Sequence, residues 1–389
     1  MIAASQFIPT ATQRKSSVWL VLVIAVSLLI AFGIVLVYDA SFPKSLQVGT
    51  DPRMFGRKQA IGLFVGLVLA IAAFNFSHLR LKRYAGLIMM SGFVLLALVF
   101  VHGIGVHHLN ATRWIHFGPM TIEPSEIAKV TLILFIASIL ARPDSKINEV
   151  GAGLIATLVV TGAYLVLIQK QPDLGTSIVI LGTVGVMLLV AGARPKHLAI
   201  ALGIAVVLFF AKGGLKKGQI LRLTTYVSQG EDSEGAGYQT FQSLRAVGSG
   251  EATGLGLGKG RQKYYLPEAN SDFIYATISE ELGFLGSSLT LLLYCVIAAA
   301  GIFIARNAAD SYSSLLAIGL TAQLTIQAMT NIAVVTVMIP ATGVPLPFVS
   351  CGSTSLVMSL VSVAMLLSIA RGGSVAVRQG ASNQRLANP

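Results

Sequence analysis

Charged residues are scarce in this sequence. They make up 11% of its 389 residues, whereas a soluble domain usually carries about a quarter. Hydrophobic residues account for 54%, and the mean hydropathy is +0.76. A chain this apolar needs surroundings that accept apolar surface on all sides, and lipid is such a solvent. The composition therefore argues against a soluble globular protein and predicts an all-α integral membrane protein.

Cysteine is also rare. Cys295 falls inside an apolar run, and Cys351 lies in a loop close to the last apolar run, so the spacing predicts neither a disulfide framework nor a metal site. The net charge of +12 is spread over short loops without a basic, aromatic-rich patch. This distribution argues against nucleic-acid binding and is typical of membrane orientation.

Ten apolar runs have spanning length, about 17–25 residues. They divide the chain into an N-terminal tail (1–17), a polytopic membrane domain (18–371) and a C-terminal tail (372–389). The first run is too long for the core of a signal peptide, so we expect it to be retained. The runs lie at 18–38, 58–76, 84–102, 124–141, 150–168, 173–192, 196–212, 273–304, 313–339 and 349–370.

Basic residues in the loops predict the orientation. With the N-terminus in the cytoplasm, the inner segments carry roughly twice as many Lys and Arg residues as the short outer loops, which agrees with the positive-inside rule. Both termini are then cytoplasmic. One long polar loop, about 213–272, connects the seventh and eighth runs and lies outside. Loops of this length are usually functional or disordered.

The long loop ends in the sequence LPEANSD (266–272), where the chain enters the eighth apolar run. An acid at the position of Asp272 is partly desolvated, which raises its pKa and suits a proton acceptor. Alternatively, Asp272 only stabilises the start of the following helix through the helix dipole. Ser271 or Asn270 could cap the same helix. From the spacing alone, both roles for Asp272 stay open.

Two further acids, Glu280 and Glu281, fall one to two turns inside the same run. Acidic side chains within a membrane are costly and usually have a partner or a role, so we expect a structural ion pair or an anchor for the loop. The glycine-rich stretch before them, 254–260, lacks the spacing of a phosphate-binding loop. It predicts a flexible turn instead.

A pair of opposite charges follows the helix start at Pro124. Glu126 and Lys129 are three residues apart, so they share a helix face and can pair. Within a span, such a pair is either a buried ion pair that fixes helix packing or the wall of a polar cavity where the lysine meets an anionic ligand. Arg113, on the preceding outer loop, has a guanidinium suited to bidentate phosphate binding.

Two more segments carry polar or irregular chemistry. The sequence QPDLGT (171–176) places Asp173 at the outer mouth of a helix, where an acid usually serves as a cap. The segment 339–355 has three prolines within eight residues, which excludes regular helix. Non-helical backbone at membrane depth is tolerated only where protein or a wet cavity covers it. We therefore expect a re-entrant or broken segment that lines a site.

Taken together and in this order, four motifs resemble those of the SEDS proteins, the family of RodA, FtsW and SpoVE. The resemblance covers roughly residues 18–371, and the loop and short tails look somewhat more like FtsW or SpoVE than RodA. The motifs are Arg113-Trp114 with Pro124-Ser125-Glu126 and Lys129, then 171–176, then Gly237-Tyr238-Gln239 with Gln242-Ser243 and 266–274, and finally Gly343 with Leu346-Pro347-Phe348 and Gly352.

The resemblance implies ten transmembrane helices with a large extracytoplasmic loop between the seventh and eighth. It implies a peptidoglycan glycosyltransferase that polymerises lipid II and releases undecaprenyl-pyrophosphate at the outer face of the bacterial cytoplasmic membrane. The implied partner is a class B penicillin-binding protein, a transpeptidase. The implied cofactor is Mg²⁺ or Mn²⁺; the sequence shows no dedicated metal cage, so no ligands are assigned.

Matched motif by motif, Asp272 corresponds to the family's essential acid in the large loop. The chain departs from the family at Asn270-Ser271, where His-Thr is usual, at Glu123, where Gln is usual, and within 350–355. The substrate-binding residues that the resemblance implies are Arg113, Glu126, Lys129, Asp173, Gln242, Ser243 and Glu268.

These roles suggest an inverting transfer. Asp272 would act as general base on the 4-hydroxyl of the acceptor sugar, which attacks C1 of the donor, while Arg113 and Lys129 stabilise the departing pyrophosphate. Two other functions fit part of the pattern: a flippase for lipid-linked precursor, which also uses intramembrane charges and broken helices, and a non-catalytic scaffold for a transpeptidase. The acid on the outer loop favours the enzyme, because a flippase has little use for it.

Overall fold

Helices make up most of the protein in the computed structural model. The structure describes residues 11–49, 51, 53–108, 111–117, 120–143, 147, 151–211, 214, 219–220, 222, 224, 226 and 236–387. The α-helices are α1 (Ala11–Val48), α2 (Arg53–Asn75), α3 (His78–Arg83), α4 (Ala85–Leu98), α5 (Pro124–Leu140), α6 (Ala152–Lys170), α7 (Leu174–Val190), α8 (Pro195–Ala211), α9 (Ala236–Ser249), α10 (Ile274–Arg306), α11 (Ser311–Val335) and α12 (Ser353–Ala387).

Each of the ten predicted apolar runs overlaps one of these helices. Within the described part of the chain, six helices are long and apolar enough to cross a membrane, and α4, α7 and α8 contain shorter apolar stretches. A helical membrane protein is thereby confirmed, while the number of crossing helices stays a prediction. The six candidate spans are Ser17–Pro43, Met54–Asn75, Ala152–Lys170, Ile274–Arg306, Ser311–Val335 and Ser353–Gly372.

Helix α5 lies inside the bundle. It packs against α4, α6, α7, α11 and α12, and nearly every residue from Pro124 to Leu140 is buried. Helix α2, in contrast, exposes large apolar side chains such as Phe64. Since α5 faces protein rather than lipid, it can carry Glu126 and Lys129 without exposing a charge to acyl chains.

A small antiparallel sheet precedes α5. Its strands are β1 (Gly105–His108), β2 (Ala111–Phe117) and β3 (Met120–Ile122), with β2 in the centre. The sequence predicts only a loop here, and the sheet corrects that expectation. Strands of three to seven residues are too short for periodicity to reveal them. The correction matters because Arg113 lies on the central strand, at the register shift between the pairs His107–Thr112 and Val106–Trp114.

Residues 251–254, which follow α9, dock onto a break in α10. Gly283 has φ +64° and ψ −160° inside this helix, and a Cβ there would collide with the backbone nitrogen of Gly254. The N–H groups of Phe284 and Leu285 donate to the carbonyls of Glu251 and Ala252, at 2.8 and 3.2 Å. The glycine permits both the left-handed conformation and the close approach of the loop.

Two acids of α10 hold the glycine-rich stretch. Glu280 accepts from the backbone N–H groups of Arg261 and Gln262, the shortest at 2.7 Å. Glu281 accepts from those of Gly258 and Gly260, both at 3.0 Å. The expectation that these acids anchor the loop is confirmed. The expected turn at 254–260 is present, and the carboxylate of Glu281 binds two of its backbone N–H groups.

Candidate active site

Asp272 lies at the entrance to α10, with its backbone held from two other segments. The side-chain amide of Asn331 donates to the carbonyls of Asp272 and Val344, at 2.8 and 2.7 Å. The hydroxyl of Ser350 donates to the carbonyl of Ser271 at 2.6 Å. Helix α11 and the proline-rich segment 339–352 therefore fix where this acid stands.

Neither Ser271 nor Asn270 caps α10, so that prediction is wrong. The N-cap is Phe273, which makes no side-chain cap bond. Asn270 donates instead to the hydroxyl of Ser41 on α1 at 2.9 Å, and Ser271 donates to Glu268 Oε2 at 3.0 Å. Both side chains are used for tertiary contacts of the loop, which local spacing does not reveal.

Arg113 reaches from β2 to the start of α7. Its Nε donates to the carbonyl of Gln171 at 3.0 Å and its Nη2 to the carbonyl of Pro172, while Nη1 lies 3.9 Å from Asp173 Oδ1. Asp173 caps α7 by accepting from the N–H and hydroxyl of Thr176, at 3.0 and 2.8 Å. The cap prediction for Asp173 is confirmed, and the same residue faces the guanidinium.

Gly343 brings the acid and the arginine to one point. It has φ +75°, and a Cβ at this position would lie 3.3 Å from Asp272 Oδ2 and 3.9 Å from Arg113 Nη1. The backbone of 340–346 is neither helix nor strand, as its prolines predict. Because Gly343 lacks a side chain, the space between carboxylate and guanidinium stays open.

Burial raises the pKa of Asp272 to about 6, and the negative charge of Glu268 adds to this shift. Arg113 and Arg222 act in the opposite direction, while Asp173 raises the pKa further. A carboxylate with this pKa is largely ionised at neutral pH and is still basic enough to accept a proton from a reacting group.

The predicted ion pair on α5 is present and buried. Lys129 Nζ donates to Glu126 Oε1 at 2.8 Å and to Gln327 Oε1 at 2.6 Å, and both members of the pair are only 2% exposed. Gln327 in turn donates to the carbonyl of Pro345 at 3.1 Å. The pair is thus linked through α11 to the proline-rich segment beside Asp272.

Glu123 stands next to this cluster. Burial raises its pKa to about 8, and the negative charges of Glu126 and Asp173 add to the shift, against the effect of Arg113 and Lys129. The side chain of Glu123 is therefore within range of four other charges, those of Arg113, Asp173, Lys129 and Glu126. The hydroxyl of Ser125 donates to Glu123 Oε1 at 3.1 Å.

Two of the expected substrate-binding residues lie on α9. Ser243, on α9, donates to the carbonyl of Val335 at 2.8 Å, which fastens α9 to the end of α11. Gln242 is buried on the same helix, and no described contact ties it to Asp272 or Arg113. The structure assigns Ser243 to the attachment of the loop, while Glu268 lies close enough to Asp272 to raise its pKa.

Sequence reasoning missed four residues of this region: Glu123, Arg222, Gln327 and Asn331. Gln327 and Asn331 are four residues apart on α11, and two amides on one face of an apolar helix are a signal that could have indicated a polar contact. Arg222 donates to the carbonyl of Ala341 at 3.2 Å, a contact with no counterpart in local spacing.

A metal site built by the protein is not evident. Among the residues that the structure describes, no group of three or more His, Cys, Asp or Glu side chains could hold a metal ion. Such a site normally needs several oxygen or nitrogen ligands from the protein. The side chains present therefore do not fit a metal cage, and no ligand is assigned.

The fold and the site thus define a polytopic membrane protein with a charged cluster assembled from α5, α7, β2 and the segments around Asp272 and Gly343. Comparisons with known proteins agree with this class of membrane protein. A family profile described as "Cell cycle protein" (FtsW, RodA, SpoVE) matches residues 19–374. The chain is 39% identical over 362 residues to stage V sporulation protein E of Bacillus subtilis, covering 92% of this chain and 99% of that one.

Other relatives extend this similarity to named enzymes and solved structures. The probable peptidoglycan glycosyltransferase FtsW of Geobacter metallireducens is 34% identical over 90% of this chain and 94% of its own. A chain from work on the structural coordination of polymerization and crosslinking by a peptidoglycan synthase complex superposes with a TM-score of 0.74 at 26% identity, covering 90% of this chain and 97% of that one.

The rod shape determining protein RodA of Thermus thermophilus superposes with a TM-score of 0.66, also at 26% identity, over 90% of this chain and 95% of that chain. The family match covers most of the chain, and the sporulation relative exceeds a third in identity over nearly its whole length. The chain belongs to the FtsW, RodA and SpoVE family, the SEDS proteins.

Proposed function

We propose that this protein is an inverting peptidoglycan glycosyltransferase that polymerises lipid II at the outer face of the bacterial cytoplasmic membrane. The observation that carries the proposal is the meeting of Asp272 Oδ2 and Arg113 Nη1 around Gly343. A base and a positive charge at one open point are what a direct displacement needs. The names of the FtsW relatives support the same reaction class.

The proposed transfer needs only one base to accept the proton of the attacking hydroxyl. The 4-hydroxyl of the acceptor sugar gives its proton to Asp272 as its oxygen forms a bond to C1 of the donor sugar. The bond between C1 and the phosphate oxygen breaks, and that electron pair leaves with undecaprenyl-pyrophosphate. Arg113 stabilises the negative charge of the leaving group, and Lys129 adds positive potential from α5. No covalent intermediate is required.

A divalent cation, Mg²⁺ or Mn²⁺, belongs to the proposal only as a companion of the substrate. Mg²⁺ is commonly held by one or two carboxylates together with substrate phosphates rather than by a protein cage. The pyrophosphate of lipid II would supply such oxygens. No step of the transfer is assigned to the ion, and polymerisation with and without a chelator tests whether it is needed.

The same proposal gives the protein a partner and an orientation. A class B penicillin-binding protein would crosslink the glycan strands as they form, and the solved relative from a peptidoglycan synthase complex supports such a pairing. The loop that carries Asp272 would then face outward and both termini would be cytoplasmic, in agreement with the distribution of basic residues.

The direct test is polymerisation of lipid II by the purified protein with its cognate transpeptidase. Asp272→Asn keeps the size of the side chain and removes the base, so we expect the rate to fall by about a hundredfold or more. Asp310→Asn is the matched control, because Asp310 caps α11 and asparagine is an equally good cap. Wild-type rates in the Asp272→Asn protein would contradict the base assignment.

The rival functions give different results in the same system. With lipid II supplied only to the outer face of vesicles, a flippase makes no polymer, whereas the proposed enzyme does. A non-catalytic scaffold leaves polymerisation at background with the wild-type protein, whatever residue stands at position 272. Either outcome would overturn the proposed activity.

A further inference from the structure

A separate pocket lies between α1 and the segment that leads to Asp272. Its volume is about 220 Å³. One wall comes from the outer part of α1, and the other comes from the loop that leads to the acid. The lining residues are Ala40, Pro43 and the continuous run Lys263 to Asn270.

Hydrogen bonds and ion pairs hold the walls of this pocket in place. Lys263 is buried and donates to Asp39 Oδ2 at 2.5 Å and to Glu281 Oε1 at 2.8 Å, which ties the loop to both α1 and α10. At the opposite end, Asn270 donates to the hydroxyl of Ser41 on α1 at 2.9 Å. A pocket with walls fixed in this way is pre-formed, as ligand sites usually are.

Glu268 connects the pocket to the reacting centre. It lines the pocket, has φ +56°, and accepts from the hydroxyl of Ser271 at 3.0 Å. Its negative charge acts on the adjacent Asp272, whose pKa it raises. A molecule in the pocket would therefore contact a segment whose last lining residue, Asn270, is two positions before the proposed base.

The charges around the pocket disfavour a phosphate. Its lysine, Lys263, already contacts two carboxylates, and Glu268 adds a negative charge at the lip. Arg113 and Lys129, the charges proposed to stabilise the pyrophosphate, are not among the lining residues. An uncharged polar ligand fits this electrostatic environment better than an anion.

Two aromatic side chains stand at the rim. Tyr264 is 47% exposed and Tyr265 is 59% exposed. Tyrosine offers an apolar ring face and a hydroxyl at its tip, which together match the apolar faces and hydroxyl groups of a sugar ring. Whole small-molecule sites usually measure roughly 300–1,000 Å³, so this smaller volume suits one ring of a longer glycan.

We propose that the pocket between α1 and residues 263–270 is a carbohydrate subsite that holds an uncharged sugar ring of the glycan next to the reacting sugar. The inference rests on the proposed polymerase function and adds a binding site to it. The subsite positions the glycan by contacts with Tyr264 and Tyr265 and leaves the pyrophosphate to the cluster around Gly343.

The test uses the full-length protein with its cognate transpeptidase in lipid nanodiscs. Binding of chitotriose, an uncharged β-1,4-linked trisaccharide of N-acetylglucosamine, is followed by saturation-transfer NMR, which needs no turnover. For Tyr265→Ala we expect about fivefold weaker binding, since an aromatic contact is worth roughly 0.5–1.5 kcal/mol. In the polymerisation assay we expect KM for lipid II to rise by a similar factor with kcat within about twofold.

Two comparison variants make the result specific. Tyr265→Phe keeps the ring and should bind almost as the wild type does. Tyr84→Ala removes a tyrosine of similar exposure, 50%, at the junction of α3 and α4, and should change neither binding nor KM. Unchanged chitotriose binding in Tyr264→Ala and Tyr265→Ala, or an equal loss in Tyr84→Ala, would refute the subsite.

The binding experiment also separates the two proposals. Asp272→Asn should lose polymerisation and still bind chitotriose. If the wild-type protein binds chitotriose through these tyrosines but makes no polymer, the polymerase proposal fails while the sugar site stands. A lipid with a decyl chain and a phosphate tests the alternative that the pocket holds an acyl chain. If this lipid displaces chitotriose from the wild type, and binds to the Glu268→Gln protein as well as to the wild type, the carbohydrate assignment is wrong.

Discussion

At the scale of single residues, the surroundings of Asp272 decide how it can react. Burial and the nearby charge of Glu268 raise its pKa to about 6, while Arg113 limits that rise. An ordinary exposed aspartate would be a weaker base at neutral pH, since its pKa lies near 3.9. Gly343 thus leaves space for a substrate beside the carboxylate, and the surroundings of Asp272 raise its pKa.

The pH dependence of the reaction follows from this pKa. A general base must be deprotonated, so kcat/KM should fall as the pH drops through about 6. Glu268→Gln removes a negative charge that raises the pKa of Asp272. The decrease of kcat/KM on the acid side of the pH profile should therefore move to lower pH. A pH profile of lipid II polymerisation for both proteins measures the shift. A decrease that stays in place, or moves to higher pH, would show that another group controls it.

Gly343 should be intolerant of even one methyl group. In Gly343→Ala, the new Cβ would lie 3.3 Å from Asp272 Oδ2 and occupy the gap to Arg113. We expect the polymerisation rate to fall about tenfold or more, because small displacements at a reacting centre are costly.

Gly103→Ala is the control for backbone strain. Gly103 has φ +85°, similar to Gly343, but a Cβ there would have no atom within 4 Å. Both variants should lose roughly 1–2 kcal/mol of stability from the left-handed conformation, measured by thermal unfolding. Equal activity losses in the two proteins would mean that strain, and not crowding of the site, is responsible.

At the scale of secondary-structure elements, one buried lysine joins three of them. Lys263 on the loop contacts Asp39 of α1 and Glu281 of α10, and Glu281 also binds the backbone of 258–260. This arrangement gives residues 258–263 of the long loop a defined place on the helices. It also positions the segment that ends at Asp272.

Lys263→Met should release this loop. The substitution leaves two carboxylates without their cation, and breaking a buried pair in this way typically costs about 3–5 kcal/mol. We expect a lower unfolding temperature and faster proteolytic cleavage within residues 254–272. Lys259→Met, at an exposed position of the same loop, should behave as the wild type. Unaltered cleavage in Lys263→Met would show that the loop is held by other contacts.

Helices and irregular segments differ in how well the sequence predicts them. Every apolar run coincides with a helix, because a helix must be apolar where it is embedded in the membrane. Helices α1 and α12 extend beyond their runs into polar sequence. Proline predicts the irregular segment around Gly343 for an equally local reason. The sheet at 105–122 escapes prediction, since its short strands are stabilised by pairing with one another and not by a pattern within each strand.

At the scale of the whole molecule, distant parts of the chain build the site. Arg113, Asp173, Asp272 and Gly343 come from four separate segments of the chain. Helix α5 is enclosed by its neighbours, so the Glu126–Lys129 pair lies inside protein. The similarity to SEDS relatives covers nearly this entire assembly, from residue 19 to 374.

The sequence alone determined that this is a helical membrane protein and where its apolar helices run. It also determined which family the motifs resemble and that Glu126 and Lys129 pair. Each of these conclusions depends on composition or on residues close together in the chain. Only the tertiary structure decided that Arg113 and Asp272 meet at Gly343, that Gln327 and Asn331 support the site, and that Ser243 fastens α9. These contacts join residues far apart in sequence, and local patterns carry no information about which distant partners will meet.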